Sequence, residues 1–357
     1  MKILILKSKS LGDVILLTPL IRNLKENYPD SEIHFLLREG TEIAMTGNPY
    51  VDELIPFKKE RSGFSNIKKI FNLVRKLRIR NYDIFISTDR GDFGAYFGMA
   101  INAKFRIGRT HNNKAINRMS FNENFYFQGE RHIVDLNLDP LRILGKKINS
   151  KSLDIFYDLK ESDYIKSRFL HNIEKFVHVH PVSQELYKSI DDKTFARIID
   201  HLEGKHNFRC ILTSGPSLNE INKVNNIIKL TKNKPLSLSG KLTFGEMVAL
   251  NSFAALTIVV DTAVLHVATA NDIPSVSFFG PTAVNNWGPW DKNLFESSYI
   301  RKGGIQIHGE HTTISSDHSC IPCSQSGCEN SGISECLNSI KFESVTSQIR
   351  RILERKS

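Results

Sequence analysis

The sequence predicts an α/β protein of two doubly wound domains, and three observations carry that expectation. Short apolar runs alternate with segments of helical periodicity through the first half of the chain; the alternation lapses into polar, charged sequence over residues 149–170; beyond it the same rhythm restarts. Apolar strands spaced by helices imply parallel sheets wrapped by crossover helices. At 357 residues the chain is long enough for two domains, each with its own core. The expected partition is 1–160, 170–340, and a closing C-terminal helix over 341–357.

Taken in order, residues 2–7 form an apolar run, 13–27 have helical spacing with Pro19 expected to kink the helix, and 32–37 form a second run. Between Lys58 and Arg80 lie nine Lys/Arg against the single acid Glu60, with Ile67, Ile70, Phe71, Val74 and Leu77 at helical spacing, so this segment reads as a basic amphipathic helix. Runs at 82–87 and 105–108 follow. The Asn-rich stretch 108–127 lacks a period and reads as a long, mobile loop. After the hinge, strands are expected at 176–180, 209–213, 236–239, 256–260 and 275–279, with helices at 194–203 and 218–230. Residues 342–356 place Val345, Ile349, Ile352 and Leu353 on one helical face, a closing helix able to cross back to the first domain.

No run of 18 apolar residues is present, so no membrane span is expected. The opening run is too short for a signal peptide and leads into Gly12-Asp13 rather than a small-residue cleavage site, which gives a cytoplasmic expectation. The net charge of +10 points to anionic partners: phosphorylated lipid, nucleic acid or nucleotide. The basic helix is either a solvated face packed on a core or a face that meets an anionic membrane or phosphorylated acceptor. Charge alone does not choose.

Four groups of residues could carry chemistry. After the first strand, Gly12 permits a tight turn, and Asp13 at the helix start is either a cap or a carboxylate general base. After the first strand of the second half comes His180-Pro181-Val182-Ser183, followed by Lys188, which is either a surface lysine or a cation that neutralises a departing diphosphate. The strongest group is Asp261-Thr262 at the end of a fully apolar strand, with Thr262 an N-cap and His266 four residues on along the same helical face; a helix N-terminus suits a pyrophosphate. Finally, Glu220, with Asn219 as an alternative, could accept hydrogen bonds from a ribose diol, and Ser239-Gly240-Lys241-Leu242 is placed to wall a base pocket.

Cys320, Cys323, Cys328 and Cys336 fall within 17 residues, with Cys210 left over in a strand. They are either a structural zinc knuckle, although the spacing matches no zinc-finger pattern closely, or reduced, redox-sensitive thiols.

Together these residues resemble glycosyltransferase family 9, the ADP-heptose:lipopolysaccharide heptosyltransferases. The matching pieces are Ser10-Leu11-Gly12-Asp13, the His-Pro-x-Ser loop with Lys188, Leu212-Thr213-Ser214-Gly215-Pro216, Leu238-Ser239-Gly240, Asp261-Thr262-x3-His266 and Phe279-Gly280-Pro281-Thr282, spread from Met1 to about Ile340. Trp287-Gly288-Pro289-Trp290 and the cysteine cluster resemble the heptosyltransferase III branch. The resemblance implies a GT-B fold, two Rossmann-like domains facing a central cleft, and an inverting transferase that requires no cofactor or catalytic metal. It implies an N-terminal acceptor-binding domain and a C-terminal nucleotide-sugar domain. Asp13 would be the base; Ser183, Lys188, Thr262 and His266 would hold the diphosphate. Asp261 would touch the donor sugar or its phosphate, Glu220 the ribose and Leu242 the base pocket. Lys58, Lys59 and Arg61 would face the acceptor. Implied partners are a nucleotide-sugar donor, ADP-heptose first, a phosphorylated lipid A–core acceptor and the inner face of the inner membrane, with no nucleic acid. One departure is Gln184, where the family often has arginine, so another nucleotide sugar stays open. The competing readings are a GT-B transferase or epimerase using a UDP-sugar, and a non-catalytic basic protein that binds nucleic acid or a membrane surface.

Overall fold

The computed structural model describes residues 1–58, 64–89, 92–110, 115–127, 129–206 and 208–355. The chain divides into two compact units, Met1–Asp154 and Ile155–Ser357.

The first unit is built on six strands: β1 (Lys2–Lys7), β2 (Glu32–Arg38), β3 (Glu53–Phe57), β4 (Ile84–Ser87), β5 (Phe105–Thr110) and β6 (Glu123–Tyr126). They lie in the order β3-β2-β1-β4-β5-β6, every neighbouring pair parallel. β1 is central because Ile3, Leu4, Ile5 and Leu6 are all fully buried, as a strand covered on both faces requires. The strand order reverses between β1 and β4, and in open α/β sheets ligands bind beyond the carboxyl ends at such a switch point.

The second unit holds β7 (Phe176–His180), β8 (Arg209–Leu212), β9 (Leu236–Ser237), β10 (Leu256–Val260), β11 (Ser275–Phe278), β12 (Ile305–His308) and β13 (His311–Ile314), ordered β12-β13-β11-β10-β7-β8-β9. Only the β12–β13 pair is antiparallel. Here the switch point falls between β7 and β10. One face, with Val177, Val179 and Leu212, packs on the helices Asp192–Lys205 and Phe342–Glu354. The other, with Phe176 and Ile211, packs on Phe244–Ser252 and Ala263–Ala270.

Several expectations are corrected. Residues 13–27 are not one kinked helix but two, Leu11–Ile15 and Thr18–Asn27, and Pro19 sits in the first turn of the second, where its missing N–H leaves no bond unmade. The stretch 108–127 is not a long loop. Residues 111–114 lie outside the described set, but beyond them come the helix Ala115–Ser120 and β6, with Phe121 and Phe125 buried. Elements of four to six residues are too short to impose a period. Gly108 is required there, since a Cβ would meet the Phe121 ring at 2.2 Å. The final helix belongs to the second unit, whose core Val345, Ile349 and Ile352 complete. β3 escaped prediction because Pro56 interrupts it, which an edge strand tolerates.

The basic helix spans Phe64–Arg78. Leu77 is buried and Leu73 and Val74 pack on the core, but Phe71, expected on the apolar face, is 65% exposed. The side chain of Ile67 lies outside the described set. Lys69, Arg75, Lys76 and Arg78 are exposed.

Candidate active site

In the first unit, polar side chains gather beyond the carboxyl ends of β1, β4 and β5. Lys7 closes β1 and is only 1% exposed; its ammonium lies 3.3 Å from the Asp13 carboxylate, and the Ser10 hydroxyl donates to the other Asp13 oxygen at 2.7 Å. Burial opposes a charge on Asp13, but Lys7, the Ser10 hydroxyl and Lys9 outweigh it, holding the carboxyl below its ordinary value. Asp13 is not the helix cap. Ser10 occupies that position and Asp13 the first turn, bonded to side chains only. Gly12 lies inside the helix without positive φ, so no tight turn forms at it. The loop carrying these residues is fastened from β4's end: Asp89 accepts the Ser8 backbone N–H at 2.9 and 3.1 Å and also the Ser8 hydroxyl. The Lys7 ammonium and the buried Arg109 guanidinium both come within 3.5 Å of one carbonyl oxygen, that of Thr88. Sequence reasoning placed Lys7 in the loop that leads to Asp13 but gave it no role, and it did not single out Asp89 or Arg109. Of the expected acceptor-facing residues, Lys58 is exposed just after β3, while Lys59 and Arg61 lie outside the described residues.

In the second unit, every residue expected to bind the donor lies beyond the carboxyl ends of four adjacent strands, β10-β7-β8-β9. Lys188, on the single turn Leu186–Lys188, is no free surface lysine: its side chain is 24% exposed and its ammonium is 2.7 Å from Asp261 Oδ2. Burial disfavours its charge, but Asp261 more than compensates, so the ammonium is held above its ordinary value. Ser183 is buried, its hydroxyl accepting the Glu185 N–H at 3.3 Å. Thr262 stands at the N-cap of Ala263–Ala270 in extended conformation, yet its side chain makes no capping bond. His266 is buried on that helix. Glu220 is buried and accepts the Gly215 N–H at 2.7 Å, whereas Asn219 is exposed. Leu242 is half-buried, packed against the core below.

Behind these loops sits a network that sequence reasoning missed. The His178 Nε2 and His180 Nδ1 nitrogens lie 2.7 and 2.8 Å from the same Thr213 hydroxyl, and the Asn251 amide contacts His178 Nδ1 at 2.9 Å. Burial drives the imidazoles down to about 3 for His178 and about 4 for His180, so both are neutral at physiological pH.

Of the two readings of the cysteine cluster, the zinc knuckle finds no support. Among the described residues no group of three or more His, Cys, Asp or Glu side chains is arranged to hold a metal, and all five cysteines are free thiols. Cys336 belongs to the hydrophobic core; burial there, and the nearby thiols of Cys328, Cys320 and Cys323, push its thiol up to about 11.

Two doubly wound units, each with charged and hydroxyl side chains at its switch point, are the architecture of GT-B glycosyltransferases, the fold this chain shares with the solved structures below. The chain belongs to glycosyltransferase family 9 (heptosyltransferase), whose family model matches residues 70–312. It is 32% identical over 293 residues to lipopolysaccharide heptosyltransferase 3 of Escherichia coli K12, covering 80% of this chain and 84% of that protein. Among solved structures, a family 9 glycosyltransferase from Veillonella parvula superimposes with TM-score 0.80 at 22% identity, covering 99% of this chain and 97% of that one. Escherichia coli heptosyltransferase WaaC with ADP gives TM-score 0.71 at 16% identity, covering 99% and 100%.

Proposed function

We propose that this enzyme transfers a heptose from ADP-heptose to a phosphorylated lipopolysaccharide core acceptor with inversion at the anomeric carbon. Asp13 takes the proton of the acceptor hydroxyl as that oxygen attacks the anomeric carbon; the bond from that carbon to the diphosphate oxygen breaks, and its electron pair leaves with ADP. Lys188, Ser183, Thr262 and His266 receive the diphosphate, Asp261 orients Lys188 and touches the donor, Glu220 faces the ribose and Leu242 the base. The reading is supported most directly by one observation: the Lys188–Asp261 pair, 2.7 Å apart, at the switch point beside a helix N-terminus whose Thr262 hydroxyl makes no cap. The relatives' lipopolysaccharide acceptors support the acceptor class. The exposed basic face of Phe64–Arg78 suits a phosphorylated glycolipid at the anionic inner face of the inner membrane, reached from the cytoplasm. No helix among the described residues is long and apolar enough to cross a membrane.

Calorimetric titration with ADP, UDP and GDP tests the donor, and transfer assays with Asp13→Asn test the base. ADP-selective binding is expected, with Asp13→Asn losing about 10²–10⁴-fold in turnover while ADP affinity holds. Selectivity for UDP would replace the donor, and near-normal turnover of Asp13→Asn would remove the base.

A further inference from the structure

The buried chain of polar side chains behind the second unit's loops has a direction, set at one end by a backbone carbonyl. Asn271 Nδ2 lies 3.0 Å from the carbonyl oxygen of Val248, which can only accept, so this end of the Asn271 amide is its NH2. The same NH2 meets Asn251 at 3.1 Å, so Asn251 turns its oxygen there and its own NH2 toward His178 Nδ1 and the Thr257 hydroxyl, each at 2.9 Å. His178 Nδ1 therefore accepts, and a neutral His178 carries its proton on Nε2, donating to the Thr213 hydroxyl. The buried Thr213 hydroxyl, having accepted from His178, has one proton to place, and His180 Nδ1 is the one acceptor for it among the described residues, so Thr213 donates there. The remaining proton of a neutral His180 is then on Nε2. That atom makes no hydrogen bond to any described residue, although the residue is only 6% exposed. Nε2 is the part of this otherwise buried ring that solvent reaches, so its N–H is a donor of fixed direction open at the switch point to an acceptor from outside the chain.

Position identifies the acceptor. His180 is the last residue of β7 and pairs with Val259, two residues before Asp261, and the His180-Pro181-Val182-Ser183 segment leads directly into the loop bearing Lys188. Resting on the reading of this end of the unit as the donor site, we propose that His180 binds the donor diphosphate as a neutral donor through Nε2–H, and that Asn271, Asn251, His178 and Thr213 are positioning residues that fix this tautomer. A neutral donor of fixed direction contributes a hydrogen bond to a phosphate oxygen without adding a cation beside Lys188.

Two measurements test this on the full chain. Two-bond proton–nitrogen spectra of ¹⁵N-histidine-labelled protein without ligand, at neutral pH, are expected to show His178 and His180 both protonated on Nε2 only. A proton on His180 Nδ1, or a charged ring, overturns the relay. Calorimetric titration with ADP is then expected to lose about ten- to a hundredfold in affinity in His180→Leu, with much of the loss recovered in His180→Gln, whose amide NH2 stands where ring Nε2 stood. Thr213→Val is expected to mix the His180 tautomers and weaken ADP binding, and Thr213→Ser to restore both. If Lys188→Ala weakens ADP binding and His180→Leu does not, the His180 proposal fails alone. If the wild-type chain binds no nucleoside diphosphate, the donor reading fails and takes this proposal with it.

Discussion

Asp13 stays ionised because Lys7 shares its burial. The ammonium at 3.3 Å and the Ser10 hydroxyl at 2.7 Å offset what burial costs the carboxylate. If Asp13 is the base, as proposed, it must be deprotonated to act, and its depressed value then places the acid limb of the kcat/KM profile below the ordinary carboxylate range. In Lys7→Met the strongest opposing charge is gone and burial dominates, so the limb should move up toward neutrality. The pH–rate profile of the variant measures this, and an unmoved limb would strip Lys7 of that role. At the donor end, Lys188→Ala leaves Asp261 without its partner and removes a cation from the diphosphate. ADP affinity should fall by about ten- to a hundredfold in calorimetry.

At the level of elements, the first unit's C-terminal segment is fastened by charge. Asp135 on the helix Ile133–Asn137 lies 2.6 Å from Arg131, 2.5 Å from Arg142 and 2.6 Å from Lys151. Burial alone would raise its carboxyl, but Lys151, Arg131 and Arg142 hold it well below the carboxylate range. A depressed folded value contributes stability above the unfolded value of about 4, lost as pH falls toward the folded one. Asp135→Asn should therefore cost about 2 kcal/mol at pH 7, and the gap from wild type should close in acid; denaturant titrations at pH 7 and below 4 compare the two. In the second unit the last helix works by apolar burial. Ile349 is fully buried against the β7–β8–β10 face, and Ile349→Ala should cost about 3 kcal/mol in the same assay, with no such closure in acid.

Across the whole molecule, the residues proposed for the two roles sit on separate units. Asp13 belongs to Met1–Asp154, and every residue assigned to the donor belongs to Ile155–Ser357. The fragment 155–357 should therefore bind ADP with affinity near that of the full chain while catalysing no transfer. A fragment that folds, by circular dichroism, yet binds no ADP would mean that the first unit contributes to the donor site.

What the sequence determined by itself was whatever rests on local pattern. Apolar runs such as 2–7, 176–180 and 256–260 became strands at those bounds, because a strand covered on both faces is apolar along most of its length. The positions of Asp13, Lys188, Asp261 and Thr262 beyond strand ends were legible because each follows such a run, and strand carboxyl ends are where doubly wound folds bind ligands. Edge strands with a proline or polar residues, such as β3 and β12, carry no such run and were not legible. Tertiary structure alone decided which side chains meet across strands: Lys7 with Thr88, Ser8 with Asp89, Lys188 with Asp261, and the His178–Thr213–His180 chain. The physical reason is that these contacts join residues up to 81 positions apart, so their geometry is set by sheet order rather than by any local period.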